Sequence, residues 1–178
     1  DTLEERPAET GLTAVVRRVL GTGAAEQKIK VRGFDDLMVF RARCCNPIRG
    51  EQIVGYITRG KGVSVHSAKC ANVVNLMYDP ERRIDVEWDK GGDIAPYTVR
   101  LAIEVEDRKA MLAELSKKIS DINTNITNME ASTGQNRGRI DVTVEIKDVK
   151  HLEQVLKSVR GIAGVLNVER TAPVPERR

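Results

Sequence analysis

Four side chains able to bind a soft metal ion fall within one short stretch of the chain: Cys44, Cys45, His66 and Cys70. They include all 3 cysteines and one of the 2 histidines in the sequence. Thiolate sulfur and imidazole nitrogen are the preferred ligands of structural zinc, and four of them close a tetrahedron. His66 and Cys70 are four residues apart, so a helix beginning near Ser67 brings them to one point. Cys44 and Cys45 are adjacent. Neighbours on a straight strand face opposite ways, so both reach one ion only if the chain turns there, and Asn46-Pro47 supplies a turn. The spacing departs from the paired C-x-x-C of zinc ribbons. Two other readings stay open: Cys44 or Cys45 as a small buried hydrophobe beside a hydrogen-bonding surface His66, and a disulfide formed when vicinal cysteines oxidise.

Cations gather around the same residues: Arg41, Arg43, Arg49, Arg59, Lys61 and Lys69. Carried on glycine-punctuated turns, they form a patch able to meet phosphates. Ordinary solvated charge is the alternative for each one taken singly. Tyr56 lies inside the run, but one aromatic is not a stacking platform.

The elements that must position these groups are legible in the surrounding pattern. With 178 residues, the chain has room for two small domains. Aromatic residues are only 3%, so aliphatic side chains must fill the cores, and a net charge of +3 with 31% charged residues makes any nucleic-acid contact a local patch. No apolar run is long enough to cross a bilayer and no signal-peptide pattern opens the chain, so no membrane partner is expected. An odd cysteine count fits a secreted disulfide framework poorly, which points to the cytoplasm. The first residue is Asp rather than Met, so a fragment of a longer protein is expected.

Residues 1–27 read as the tail of a preceding domain and a linker, with Leu12–Leu20 as a short helix or strand. Residues 28–88 form a small β-rich domain, 89–96 a linker, 97–170 a second domain and 171–178 a tail. In the first domain K-I-K-V-R, D-L-M-V-F-R-A, Q-I-V-G-Y-I-T and G-V-S-V-H read as strands. Gly60 or Gly62 takes positive φ in a hairpin turn, and Ser67 caps a helix through Ala68–Leu76. Arg83–Trp88 closes the domain as one strand.

In the second domain Val99, Leu101, Ile103 and Val105 share one strand face, and Leu112, Leu115, Ile119 and Ile122 follow at helical spacing. Two strands around T-G-Q-N-R-G come next. Asp148 then caps a helix with Val149, Leu152, Val155, Leu156 and Val159 inward and Gly161 after its stop, before a last strand. The order βαββαβ is ferredoxin-like, so the fold class is α+β.

The stretch C-C-N-P-I-R-G-E-Q-I-V-G-Y-I-T-R-G-K-G-V-S-V-H-S-A-K-C-A-N-V closely resembles the zinc-finger-like, or ribosome-intersubunit, domain of long RelA/SpoT-homologue (p)ppGpp synthetases/hydrolases. The family pattern of Cys-Cys-Asn-Pro, then a Gly-Tyr-Ile-Thr turn with two basic residues, then His-x3-Cys, is complete here. Residues Pro96–Arg170 resemble the ACT domain that ends those proteins. The resemblance implies a non-catalytic regulatory region of the stringent response, acting on hydrolase and synthetase domains that this chain does not contain. It further implies docking on ribosomal RNA with uncharged tRNA in the A site, Cys44, Cys45, His66 and Cys70 as the residues behind the zinc-finger name, and Arg59 and Lys61 as RNA contacts.

ACT domains of this kind also resemble amino-acid sensors that bind at a dimer interface. By that likeness a branched-chain amino acid would meet Asp107, Arg108, Lys109, Ala110, Met111 and Leu112, with Asn123 and Asn125 near the next strand, and a homodimer would form through the domain. Where many members have Gly, this sequence has Ala110, whose methyl crowds a ligand and disfavours positive φ. Asn123 and Asn125 can equally satisfy their own backbone.

Overall fold

The computed structural model describes residues 29–33, 37–60, 62–76, 79–90 and 95–172. The segment Leu12–Leu20, the rest of 1–27, Lys61 and the tail from 173 lie outside the described residues.

The first domain is built from short strands: β1 (Ile29–Val31), β2 (Val39–Arg41), β3 (Ile53–Thr58), β4 (Gly62–Ser67), β5 (Arg83–Ile84) and β6 (Val86–Trp88), with helix α1 (Ala71–Leu76) after β4. One sheet has the order β2-β4-β3-β5, with β2 parallel to β4, while β1 pairs with β6. Alternation along β4 sets the chemistry of its two faces. Val63 and Val65 pack with Ile29 and Val31, and Ser64 and His66 point the other way, toward the side of Val54 and Tyr56. The β3–β4 turn places both Gly60 and Gly62 at positive φ, 78° and 108°. At Gly62 a side chain is also excluded by space, since a Cβ would lie 2.0 Å from the Met38 carbonyl oxygen.

Two details depart from the sequence reading. The helix begins at Ala71, not Ala68, because Ser67 still pairs with Ile53 in the sheet; its Oγ accepts from the Lys69 amide in a tight turn. Arg83–Trp88 is two strands. Ile84 stays on β3, and after Asp85 the chain leaves to pair Val86 with Val31.

The second domain runs β7 (Tyr97–Glu106), α2 (Met111–Ser120), β8 (Ile126–Gly134), β9 (Arg137–Ile146), α3 (Val149–Arg160) and β10 (Val165–Thr171). The sheet order β10-β7-β9-β8, antiparallel throughout, is the ferredoxin-like arrangement. Val99, Leu101, Ile103 and Val105 pack on Ile140, Val142, Val144 and Ile146 and on both helices. The inward stripe of α2 is Met111, Leu115 and Ile119, a strict four-residue repeat, so Leu112 stays 45% exposed and Ile122 packs only after the helix has ended. Asp148 does cap α3, accepting from the His151 amide at 2.8 Å. Gly161 ends that helix at φ −75°, and the left-handed residue is Gly164 at 91°.

Candidate metal centre and cationic surface

The Cys44–Cys45 turn is closed by the Asn46 amide, which donates to the Ala42 carbonyl at 2.8 Å, and Asn46 itself takes φ 42°. Turning here, rather than continuing β2, keeps the two thiols on one side. His66 arrives from the end of β4 and Cys70 from the turn just before α1, with no helix between them. Cys44 Sγ lies 3.4 Å from His66 Nδ1, 3.6 Å from Cys70 Sγ and 3.9 Å from Cys45 Sγ. All four ligand atoms fall within 4.8 Å of one another. A tetrahedral ion with Zn–S bonds of ~2.3 Å requires S···S edges of roughly 3.8 Å, and the two edges from Cys44, 3.9 Å to Cys45 and 3.6 Å to Cys70, match that.

The surroundings are those of a metal centre as well. Ser67 N–H donates to Cys45 Sγ at 3.3 Å, and Ser64 Oγ meets His66 Nε2 at 3.2 Å, which leaves Nδ1 facing the thiols. Outer hydrogen bonds of this kind fix ligand orientation and the imidazole tautomer. Burial lowers the His66 pKa and so keeps the ring neutral, the form that ligates. Burial pushes the Cys45 thiol up to about 12. For Cys70 burial acts in the same upward direction, but the Asn72 amide, the thiols of Cys44 and Cys45 and the Val73 amide outweigh it, so its pKa is lowered. The buried-hydrophobe alternative does not fit, since Cys44 is exposed and Cys45 only half-buried. All three cysteines are free. The donor set and its spacing fit zinc, which these four residues would hold.

The six predicted cations do not share one environment. Arg41 is half-buried, donates to the Pro47 carbonyl and covers the Tyr97 ring. Arg49 is also half-buried; its side chain donates to the Asp89 carbonyl at 3.3 Å. Arg43, Arg59 and Lys69 are exposed, and Lys61 lies outside the described residues. Sequence reasoning missed Arg82 and Arg83. Arg83 is exposed on β5, opposite Tyr56, and Arg82 donates twice to the Ile57 carbonyl beside the β3–β4 turn. They sit about twenty residues from the hairpin in the chain, and only the β3–β5 pairing brings them to it.

On the second domain a cavity of about 340 Å³ opens beside the β7–α2 loop, lined by Glu106, Asp107, Arg108, Ala110, Met111 and Leu112 together with Ala131, Ser132 and Thr133 of β8 and Gly138 and Ile140 of β9. Lys109 does not line it, and Arg108 is committed to the Glu114 carboxylate at 2.7 Å and the Ala163 carbonyl at 2.8 Å. Asn123 and Asn125 are not brought to this cavity. They follow the far end of α2, a helix of ten residues and so ~15 Å long, where Asn125 donates to Glu145 and Asn123 sits at φ 53°. Ala110 takes φ 65°, against the expectation that a methyl there disfavours positive φ.

Comparison with known proteins gives two domain matches. Residues 29–89 match the family model of the RelA/SpoT RIS domain, and residues 94–170 match that of the ACT domain. The chain is 40% identical over 149 residues to a GTP pyrophosphokinase of Streptomyces antibioticus, covering 83% of this chain and 18% of that protein. It is 34% identical over 172 residues to the bifunctional (p)ppGpp synthase/hydrolase RelA of Mycobacterium tuberculosis, covering 96% of this chain and 23% of that protein. The chain therefore spans about a fifth of the length of such relatives. Among solved structures, the ACT domain from a GTP pyrophosphokinase of Chlorobium tepidum aligns with 42% of this chain and 97% of its own, at 23% identity and a TM-score of 0.39.

Proposed function

The chain belongs to the RelA/SpoT family, carrying its RIS domain followed by an ACT domain, and from that premise we propose that it is the regulatory, non-catalytic part of a (p)ppGpp synthetase/hydrolase that docks on RNA. The partners are ribosomal RNA and an uncharged tRNA in the A site, and the docked state is relayed to catalytic domains outside this chain. The observation that carries the reading is the exposed cationic surface around the β3–β4 turn. Arg59 stands at its tip, Arg83 lies on the neighbouring strand, and Arg43 and Lys69 flank the metal-ligating cysteines. Phe40, 43% exposed on edge strand β2, shares a sheet face with Tyr56 and Arg83 and offers a ring for base stacking. Compact cationic turns recognise the backbone and shape of folded RNA rather than its sequence.

The test is co-sedimentation of the chain with ribosomes carrying deacylated tRNA, across a salt series, beside an Arg59→Glu/Lys61→Glu variant. Binding should weaken steeply with salt, and the salt slope should fall by about one for each phosphate contact the variant loses. Wild-type binding that ignores salt, or a variant with an unchanged slope, removes this surface from the reading. The cavity beside Ala110 supports a second role, recognition of a branched-chain amino acid by the ACT domain, which predicts stabilisation by Val or Ile that is insensitive to salt.

A further inference from the structure

The segment Cys45–Glu51 begins at a residue of the thiol cluster, packs Ile48 into the neighbouring domain and returns to β3. Arg170, on edge strand β10 of the ACT sheet, donates through Nη1 to the Glu51 carboxylate at 2.6 Å. Its Nη2 donates to the Cys45 carbonyl at 3.3 Å and to the Asn46 carbonyl. The other Glu51 carboxylate oxygen accepts from the Ile48 amide at 2.8 Å. Asn46 Nδ2 reaches the Thr98 carbonyl on β7 at 3.2 Å, and the Val149 amide donates to the Arg49 carbonyl at 2.8 Å. Ile48 is fully buried in the ACT core. Gly50 lies so close beneath Val149 that a Cβ there would come within 2.6 Å of Val149 Cγ1.

The turn carrying Cys44 and Cys45 is therefore not supported by its own domain alone. Its carbonyls at positions 45 and 46 converge on one guanidinium, and Asn46 sits at positive φ, a left-handed conformation that asparagine adopts more readily than most residues and that these contacts hold in place. A planar, permanently charged fork suits such convergent acceptors, and a single ammonium does not reproduce it. Without that fork the turn is free to relax toward extended backbone, where adjacent cysteines face opposite ways and cannot share an ion.

We propose that Arg170 is the outer support of the Cys44–Cys45 ligand turn, so that metal binding in the RIS domain and seating of the ACT domain on Cys45–Glu51 strengthen each other. This rests on the reading of the four-residue cluster as a metal centre. Linkage makes the effect reciprocal: whatever factor ACT seating adds to metal affinity, the metal adds to ACT seating. The ACT domain thereby senses the state of the thiol cluster, and the cluster senses whatever displaces the ACT domain.

The experiment titrates the full chain with Co2+ against a competing chelator, following the thiolate-to-cobalt absorption band, in wild type, Arg170→Met, Arg170→Lys and Arg139→Met. Arg139 lies on the same sheet but bonds Asp141, away from the loop. Loss of an outer-shell partner typically weakens metal affinity ~10–100-fold. Arg170→Met should lose at least about tenfold on that scale, Arg170→Lys should fall between, and Arg139→Met should match wild type. A second readout is hydrogen exchange at the Val149 amide. As the first residue of α3 it has no acceptor within its helix, so its protection depends on the Arg49 carbonyl across the joint. Metal should slow that exchange in wild type and leave it unchanged in Arg170→Met, while β7–β9 amides stay protected in both. If the methionine variant does not fold, the lysine variant carries the same comparison. A wild-type chain with no cobalt band overturns the metal reading and the coupling with it. Equal affinity in wild type and the Arg170 variants, or Val149 exchange indifferent to metal, overturns the coupling and leaves the metal centre standing.

Discussion

The guanidinium of Arg41, on strand β2 of the RIS domain, lies over the ring of Tyr97, the first residue of the ACT sheet, with Cζ 4.9 Å from the ring centroid. Trp88 meets the same ring edge-on at 6.1 Å and donates its indole N–H to the Glu51 carbonyl at 2.9 Å. Tyr97 is 1% exposed, so these contacts have the burial of a core rather than of a surface touch. Burial lowers the Arg41 pKa, and the neighbouring Tyr97 partly opposes that fall, but a guanidinium stays charged throughout. An arginine that reads in the sequence as a phosphate contact is here a strut between domains.

The two roles separate experimentally. Arg41→Met removes the cation–π contact and the hydrogen bond to the Pro47 carbonyl, worth together about 1–3 kcal/mol by typical values. Its urea midpoint should fall accordingly, while the salt slope of ribosome binding stays that of wild type. Arg59→Glu should do the opposite, flattening the salt dependence with little change in midpoint, because exposed substitutions rarely exceed about 0.5 kcal/mol.

Ile48 carries the second prediction. It belongs to the loop that follows the cysteines, yet it is 0% exposed within the ACT core. Truncation of such a residue costs ~2–5 kcal/mol. In Ile48→Ala this loss falls on the joint, so Trp88 fluorescence and far-UV dichroism, which should coincide in wild type during urea unfolding, should part into two transitions. Coincident transitions in the variant would show that the two domains do not unfold through this contact.

The sequence was most legible where pattern and chemistry are local. Strict alternation in β7 and β9 disclosed the ACT core, and Asp148 disclosed its helix start, because each is decided by neighbours in the chain. The cluster of four residues that could hold a metal was likewise visible from residue type, since few cysteines and histidines exist to choose from. What stayed hidden is long-range. Nothing near Arg170 signals that it bonds carbonyls more than a hundred residues earlier, and nothing near Ile48 assigns it to the other domain's core. The inward face of α2 was misread by one residue because Met111 and Leu112 are both apolar, and only the strand packed beneath chooses between them. Arg83 joins the cationic surface through strand pairing with Tyr56, a fact of topology rather than of composition.

The charge network on the helix-free face of the ACT sheet gives a pH-dependent expectation. The hydrogen-bonded Arg139 guanidinium, at 3.0 Å, holds the Asp141 carboxyl below its usual range against an opposing effect of burial, and Arg100 at 3.6 Å adds to the lowering. A carboxyl whose folded pKa is depressed stabilises the fold above its unfolded value of about 3.9 and loses that contribution as pH falls through the folded pKa. Asp141→Asn should therefore be less stable than wild type at neutral pH, and the gap should close as pH drops below about 4. A gap of constant size across that range would assign the loss to packing instead of charge.

Ala110 bears the last and most discriminating prediction. It takes φ 65° and ψ 5° where the chain enters α2, and it lines the ACT cavity. A left-handed conformation costs a non-glycine residue roughly 1–2 kcal/mol, while glycine's greater freedom in the unfolded chain costs about 0.5–1 kcal/mol relative to alanine. The first effect is the larger, so Ala110→Gly should raise stability by about 0.5–1 kcal/mol, the difference between those two costs. The same change removes a methyl from the cavity wall. If the cavity receives a branched-chain amino acid, Val or Ile should then stabilise the glycine variant more than wild type, and Ala110→Val should both lower stability and abolish that response. Thermal shifts of the three proteins with and without graded additions of each amino acid separate strain from ligand access. A stabilised glycine variant with no amino-acid response in any of them leaves Ala110 as a strained hinge at the head of α2 and takes the sensor role away from this cavity.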